Sequence, residues 1–167
     1  VLDRPPGMTV AVCPTRPRSR GNIRAKSGDP FEAPAIRFNF LSDADDLRLL
    51  RIGFDHCRRI FGAPAFAEHF EVETRPGIDV QSDTDFETFA RQEGSALFHP
   101  AGTCKMGIDP HAVVDPELRV HGIDGLRVAD TSIMPWLTTG NTNAPTIMIG
   151  EKAADLILAG LRQRTSA

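Results

Sequence analysis

The sequence has few cysteines and no long hydrophobic run, and both shortages narrow the classes of protein to which it can belong. Its 167 residues include three widely spaced cysteines, and no two of them have C-x-x-C spacing. An odd, scattered set makes a poor disulfide framework and favours a reducing compartment. No apolar run reaches the roughly 18 residues that a membrane-spanning helix needs, and the first residues show no pattern of a secretory signal. We therefore expect a cytoplasmic location.

Signatures of several enzyme classes and of metal binding are absent as well. The chain has no G-x-S-x-G nucleophile elbow, no P-loop and no G-x-G-x-x-G dinucleotide fingerprint. His56 and Cys57 are adjacent, so in a helix they would point to different sides. A zinc site is therefore not expected.

The charge of the chain argues against nucleic acid as its main partner. The net charge is −3 and the isoelectric point is near 5.9, whereas nucleic-acid-binding domains are usually basic. Basic residues do cluster at 16–26, but acidic residues follow at once. A solvated face is the interpretation that we favour for this cluster.

The size and the first residues indicate a part of a larger molecule. With 41% hydrophobic residues, the chain suits one globular domain or a piece of one. It begins with Val1 rather than Met, and "VLDRPPGMTV" is typical of the interior of a protein. We expect either that a leader was removed or that this is the C-terminal part of a longer chain.

Patterns in the first half of the chain predict an α+β fold. Alternating segments favour an antiparallel sheet with one covered face, and two segments with helical periodicity would flank it. The longer helix would be capped by Ser42 or Asp43 and ended by Gly62. The predicted elements are strands at 8–13, 22–26, 35–40 and 70–77 and helices at 42–62 and 82–92.

The second half predicts a loop, a series of brief strands and a final helix. Residues 97–107 have the composition of a loop, and 112–135 read as brief strands separated by turns, with "LRVAD" (126–130) as a buried strand. Asn143 as N-cap, an early proline and an apolar face predict a helix over about 145–162.

The stretch "FHPAGTCKMG" (98–107) contains the first candidate for chemistry, His99. An imidazole titrates near neutral pH and can take a proton from an alcohol. Pro100 restricts His99 to an extended backbone, and Gly102 permits a sharp bend or the close approach of a ligand. The alternative is a histidine that only forms hydrogen bonds within a loop.

Two further polar segments could contribute to a site. "TTGNTNAPT" (138–146) offers amides and backbone N–H groups just before a helix, where anions and polarised oxygens are favoured. Asp130 ends the predicted "LRVAD" strand, and strand ends often face ligands. For the first segment, taken alone, ordinary loop and cap chemistry is the interpretation that we favour. For Asp130 the alternative is the capping of a turn through Thr131 and Ser132.

Taken together, three segments resemble the C-terminal part of the glucose–methanol–choline (GMC) oxidoreductase family. They are "FHPAGTCKMG", "VVDPELRVHGIDGLRVADTSIMP" and "GNTNAPTIMIGEKAADLI", in the family's order. The earlier "CPTRPRSRGNIRAKSGDPFEAPAIRFNFLSDADDLRLL" resembles the family's substrate-binding domain. The residues of these segments are most similar to those of bacterial choline dehydrogenase-like and alcohol dehydrogenase-like members, which use FAD.

The resemblance implies a catalytic pair. His99 matches the active-site histidine, whose expected role is general base, removing the hydroxyl proton while hydride passes from the carbinol carbon to flavin N5. Asn141 matches the second catalytic position and would bind and orient the substrate oxygen.

The resemblance also implies cofactor contacts. Asp130 and Thr131 match positions near the ribityl and phosphate region of FAD. Asn143 and Ala144 match a segment whose backbone approaches the pyrimidine end of the flavin.

In the domain organisation that the resemblance implies, residues 1–98 are a partial substrate-binding domain. Residues 99–167 carry the catalytic residues and return to the FAD domain through a strand–helix segment. Because the fingerprint is missing, an N-terminal FAD-binding part would hold most of the cofactor, and the isolated chain would be inactive.

The expected ligands are a small alcohol and an electron acceptor, either oxygen or a quinone- or dye-type carrier. Apolar surface facing the FAD domain would favour oligomers, and the full-length enzyme would be cytoplasmic or peripheral to the inner membrane. Two alternative functions remain. The chain could be a module that is catalytic only with its FAD-binding partner, or it could belong to a hydroxynitrile lyase-like member of the family.

Overall fold

The computed structural model describes residues 7–165, with side chains as far as residue 162. The chain divides into two compact units. The first contains the residues up to Gly21 and Phe38–Ser95, and the second contains Asn22–Arg37 and the residues from Ala96 onward. The regular elements are strands β1 (Asn22–Arg24) and β2 (Ala35–Arg37), helices α1 (Ala44–Phe61), α2 (Asp83–Glu93) and α3 (Asn143–Thr165), and 3-10 turns at Pro64–Phe66 and Thr131–Ile133.

Helix α1 confirms the helix predicted over 42–62. Of the two candidate caps, Asp43 takes the position, and its side chain accepts a hydrogen bond of 2.9 Å from the backbone N–H of Asp45. Gly62 ends the helix as predicted, with its N–H donating to the carbonyl of Arg58 at 2.9 Å. The local signals suffice here because a cap and an amphipathic face need no distant partner.

Helix α2 begins with a capping box between Ser82 and Asp85, which confirms the second helix. Its residue Phe86 is 4% exposed and packs against Phe54 of α1 with 5.1 Å between ring centroids. The guanidinium of Arg58 lies 4.3 Å from the Phe54 centroid. This aromatic and cationic cluster joins the two helices of the first unit.

Two predicted strands of the first unit are wrong, because each segment makes side-chain contacts with α1 instead of pairing its backbone. Residues 8–13 run as irregular chain, and Val12 packs directly against Gly53. Residues 70–77 are also irregular. There Glu73 forms two hydrogen bonds with Arg58, at 2.9 and 2.8 Å, and the Gly77 carbonyl accepts a third from the same guanidinium at 3.0 Å.

The second unit contains the antiparallel pair β1–β2, in which Ile23 lies opposite Ile36. The α+β class and the antiparallel pairing are confirmed, but the strands are three residues long rather than the five and six predicted. The predicted covered face is wrong within the described residues, since Ile23 is 46% and Ile36 55% exposed. Strand alternation reports which side chains share a face and not what covers that face.

The core of the second unit lies between α3 and the chain that precedes it. The predicted brief strands appear as isolated bridges, Met106 with Val114, Val114 with Val120, and Arg119 with Arg127. The prediction that "LRVAD" is a buried strand is wrong, because this segment makes a single bridge and its Leu126 is 48% exposed. The buried residues of this core are Val114, Leu118, Ile133, Met134, Ile149 and Ala153.

Helix α3 confirms the final helix but starts two residues earlier than predicted, at Asn143. Asn143 is thus the first helical residue rather than the cap, and Thr142 precedes the helix. Among residues 7–165, no helix is both long enough and apolar enough to cross a membrane.

Candidate active site

The loop that carries His99 is fixed by backbone hydrogen bonds to the 3-10 turn at 131–133. Three alternate N–H groups of the loop donate to three successive carbonyls of the turn. The bonds run from Gly102 to Thr131 (3.2 Å), from Cys104 to Ser132 (2.9 Å) and from Met106 to Ile133 (2.7 Å). Because the turn is anchored in the core through Ile133, the loop is anchored there as well.

Unusual backbone angles bracket His99. Phe98 has a φ of 60° and Gly102 a φ of 86°, both in the left-handed region. Glycine adopts this region without penalty, whereas a phenylalanine there is uncommon. The predicted loop at 97–107 is confirmed, and its shape places the imidazole against the start of α3.

The imidazole of His99 contacts the hydroxyl of Thr142. Its Nδ1 lies 2.9 Å from Oγ1 of Thr142, and His99 is half-buried. A hydroxyl is able to donate or accept, so this contact fits either neutral tautomer of the ring. Sequence reasoning missed Thr142, although it stands beside Asn141 in a segment that the sequence had singled out.

Thr142 is itself held in place. It is 7% exposed, and its carbonyl accepts hydrogen bonds from the N–H of Thr146 at 3.0 Å and from the Thr146 hydroxyl at 2.5 Å. These bonds belong to the first turn of α3. The partner of His99 therefore has little freedom to move.

The predicted second catalytic residue, Asn141, is exposed and directly precedes Thr142. The two predicted catalytic residues lie near each other, because His99 forms its hydrogen bond with Thr142, the residue next to Asn141. An exposed carboxamide at this point offers both a donor and an acceptor to a ligand.

Asp130 caps the 3-10 turn, which matches the alternative interpretation of that residue. Its Oδ1 accepts from the N–H of Ser132 at 2.8 Å. Asp130 is nevertheless exposed, and Thr131 is half-buried. A carboxylate has two oxygens with several lone pairs, so capping leaves acceptor capacity for a ligand hydroxyl.

Asn143 and Ala144 form the exposed first turn of α3. The first N–H groups of an α-helix have no carbonyl partner within it. In this turn Pro145 has no N–H, and the N–H of Thr146 is bonded to Thr142. The backbone donors that the turn offers to a ligand are therefore those of Asn143 and Ala144.

The neighbouring charges support the loop and do not form a metal site. Lys105 Nζ lies 2.8 Å from Asp109 Oδ2. This hydrogen bond, followed by one from the N–H of His111, lowers the pKa of Asp109. Among the residues that the structure describes, no cluster of three or more His, Cys, Asp or Glu residues could hold a metal ion.

The arrangement is a fixed imidazole beside an exposed amide and an exposed helix start, which suits proton transfer to or from a bound polar ligand. Residues 17–150 match the family model of the GMC oxidoreductases, and the chain belongs to this family. It is 49% identical over 158 residues to the oxygen-dependent choline dehydrogenase of Brucella ovis, covering 91% of this chain and 28% of that relative.

Two further relatives give the same result. The alcohol dehydrogenase (acceptor) of Pseudomonas putida is 47% identical over 152 residues, with 91% of this chain and 28% of that protein covered. An FAD-dependent oxidoreductase from Chaetomium thermophilum matches in structure with a TM-score of 0.82 and 31% identity, over 89% of this chain and 26% of its own. The chain thus spans little more than a quarter of the length of these relatives.

FAD is the cofactor of this family, and the residues present fit parts of it. The two open N–H groups at Asn143 and Ala144 suit the carbonyl oxygens at the pyrimidine end of a flavin. The Asp130 carboxylate suits a ribityl hydroxyl, which donates a hydrogen bond, and not a phosphate, which would be repelled. The Thr131 hydroxyl is compatible with either group.

Proposed function

We propose that this chain is the C-terminal part of an FAD-dependent alcohol oxidoreductase in which His99 is the general base. The observation that carries the proposal is the 2.9 Å contact between His99 Nδ1 and Thr142 Oγ1. It holds the imidazole beside Asn141 and the first turn of α3. One ring nitrogen is occupied by this contact, and the other, Nε2, is left for a substrate.

The chemistry assigned to His99 is the removal of one proton. Nε2 takes the proton of the substrate hydroxyl, so the oxygen develops negative charge and the neutral ring becomes an imidazolium. When bound, FAD would supply the acceptor for the hydride of the carbinol carbon, so that the alcohol would be released as an aldehyde or a ketone. Charge balances because the proton and the hydride leave the same alcohol.

Asn141 is proposed to orient the substrate. Its carboxamide N–H would donate to the substrate oxygen as that oxygen gains negative charge, which an amide does without changing its own protonation. Its exposure and its position next to the partner of His99 support this role. Asp130, Thr131, Asn143 and Ala144 are proposed to contact FAD in the manner described above.

The proposed substrate class follows the relatives, a choline dehydrogenase and an alcohol dehydrogenase, and is a small alcohol. The acceptor that reoxidises the flavin is proposed to be oxygen or a quinone-type carrier. An FAD-binding part of the same enzyme is proposed as the partner of α3. That helix leaves Ile147 59%, Met148 57% and Leu158 52% exposed, and exposed apolar patches of this kind mark association surfaces.

The test compares two substitutions of His99 in the complete FAD-loaded enzyme. His99→Asn keeps a polar atom near the position of Nδ1 but has no basic nitrogen, and His99→Ala removes both. We expect each variant to oxidise choline or a primary alcohol about 10²- to 10⁴-fold more slowly, the range of a general base. The flavin absorbance should show unchanged FAD content.

His111→Ala is the matched control, because His111 lies in an exposed position of the same region of the chain. It should turn over like the parent enzyme. Turnover by His99→Asn within about threefold of the parent, with FAD retained, would remove His99 from the role of base; a factor of three corresponds to less than one hydrogen bond.

A second experiment addresses whether the chain works only with an FAD-binding partner. The purified 167-residue chain is mixed with FAD and the flavin spectrum recorded. Weak binding, with Kd above about 1 μM, is expected because the contacts of this chain reach only part of the cofactor. Tight binding with alcohol-dependent bleaching would instead assign the whole activity to this chain.

A further inference from the structure

Thr142 is one of two buried polar or charged residues that the structure describes, the other being Asp46 in the first unit. A buried hydroxyl is favourable only when it is hydrogen-bonded, and its described side-chain partner is the Nδ1 of His99 at 2.9 Å. The pairing joins two segments that lie 43 positions apart in the chain. Packing alone does not require a hydroxyl here, since valine has nearly the same shape.

Both ends of this hydrogen bond are anchored in one core. The His99 loop is tied to the turn at 131–133, whose Ile133 is 4% exposed. Thr142 is tied to the first turn of α3, and α3 contributes the buried Ile149 and Ala153 to the same core. The distance between Nδ1 and Oγ1 is thus set by packing, and the imidazole cannot turn without breaking the bond.

The protonation states of the ring distinguish the two possible directions of this bond. If Nδ1–H donates to Oγ1, then Nε2 keeps its lone pair, and after proton uptake the imidazolium still donates from Nδ1. If the hydroxyl donates to Nδ1, then Nε2 carries the hydrogen. In that state Nε2 cannot take the proton, so only the first direction is compatible with a base that acts through Nε2.

We infer that Thr142 is a positioning residue, which fixes the ring of His99 with Nδ1 toward its own hydroxyl and leaves Nε2 for the substrate. This inference rests on the proposed function, in which His99 is the base. At His99 the covalent change is confined to the proton: the O–H bond of the alcohol breaks and an N–H bond forms at Nε2, while Nδ1–H donates to Oγ1 of Thr142 before and after the transfer.

The test uses Thr142→Val and Thr142→Ser in the complete FAD-loaded enzyme. Valine removes the hydroxyl with little change of shape, and serine restores it. Thr139→Val is the matched control, since Thr139 is an exposed residue of the same loop. Loss of one hydrogen bond to a charged ring is worth about a tenfold change in rate.

The first readout is kinetic. Thr142→Val should lower kcat about tenfold with little change in KM and in FAD content. Thr142→Ser should recover most of the rate, and Thr139→Val should match the parent. A parent-like kcat in Thr142→Val overturns the inference, as does a loss of FAD that accounts for the lower rate or a failure of serine to recover it.

The second readout is independent of turnover. Histidine labelled with ¹⁵N is introduced, and the ring signals of His99 are assigned by their absence in His99→Asn. At mildly alkaline pH the Nδ1 signal of His99 should shift between the parent and Thr142→Val, because Nδ1 loses its hydrogen-bond partner, and Thr142→Ser should restore the signal of the parent. An Nδ1 signal that is the same in Thr142→Val as in the parent overturns the inference.

The two proposals fail in different ways. If the His99→Asn enzyme is active, His99 is not the base, and the proposed function fails together with the inference. If His99→Asn is inactive but Thr142→Val turns over like the parent, His99 remains the proposed base and only the positioning role of Thr142 is refuted.

Discussion

A β-carbon built on Gly102 would lie 3.1 Å from the carbonyl oxygen of Met134. Gly102 also has a left-handed backbone, with a φ of 86°. The close approach allows the His99 loop to lie against the turn at 131–133 and to form its hydrogen bonds there. One glycine thus serves both the bend of the loop and its contact with the core.

Gly102→Ala is expected to destabilise the protein by about 2–3 kcal/mol, because alanine meets both the left-handed backbone and the Met134 carbonyl. Gly122 is the matched control, since its φ is 76° and a β-carbon there would meet nothing within 4 Å. Gly122→Ala should therefore show the backbone cost alone, about 1 kcal/mol. Denaturant unfolding measures both, and equal losses would contradict the role of Met134.

Asp46→Asn tests a buried carboxylate in the first turn of α1. Asp46 is 2% exposed. Its Oδ1 accepts from the N–H of Arg18 at 2.7 Å and its Oδ2 from the N–H of Ser19 at 2.8 Å. Asparagine would direct its NH₂ at one of these donors. We expect a loss of about 2 kcal/mol at neutral pH, the usual cost of an unsatisfied buried group.

The pH dependence of this loss provides a second measurement. Burial alone raises the pKa of Asp46, but hydrogen bonds from the Ser19 hydroxyl and from the N–H groups of Arg18 and Ser19 more than offset it, and the net pKa is lowered. The carboxylate therefore stabilises the fold above its unfolded pKa of about 3.9, and this contribution is lost as pH falls through the lower folded pKa.

The stability difference between the parent and Asp46→Asn should thus be full at neutral pH and shrink in acid. Urea unfolding at a series of pH values follows it. Asp79→Asn, at an exposed position of the same unit, should show little difference at any pH. A difference for Asp46→Asn that stays constant into acid would be inconsistent with the hydrogen-bonded carboxylate.

Asn141→Ala tests the proposed donor to the substrate oxygen. Removing one donor that stabilises developing negative charge lowers kcat by about 10²-fold. Steady-state kinetics of the complete enzyme with choline and primary alcohols measures the effect. Asn22→Ala, at an exposed position of β1, should behave like the parent, and a kcat for Asn141→Ala within about threefold of the parent argues against a contact made in the transition state.

Ala144→Pro tests the proposed backbone contact with FAD. Proline is tolerated in the first turn of a helix but removes an N–H. We expect the complete enzyme to keep its fold and to lose FAD more readily, by about fivefold for one hydrogen bond. Ala144→Ser keeps the N–H and serves as the control; equal FAD affinities, measured by dialysis and absorbance, would exclude this contact.

Much of the candidate site could be predicted from the sequence, but not the contact that organises it. His99 and Asn141 were found through a resemblance of short segments, which are local features. Thr142 was missed because a threonine before a helix is ordinary in sequence. Its importance follows from a partner 43 positions away, and sequence spacing does not report such distances.

The sequence by itself determined the three helices, the α+β class and the family. Caps, amphipathic faces and contiguous motifs depend on neighbours within a few residues, so they can be read without a fold. Only the tertiary structure decided which β-prone segments pair and which side chain holds His99. A strand needs a partner backbone and a buried hydroxyl needs a partner atom, and both come from distant parts of the chain.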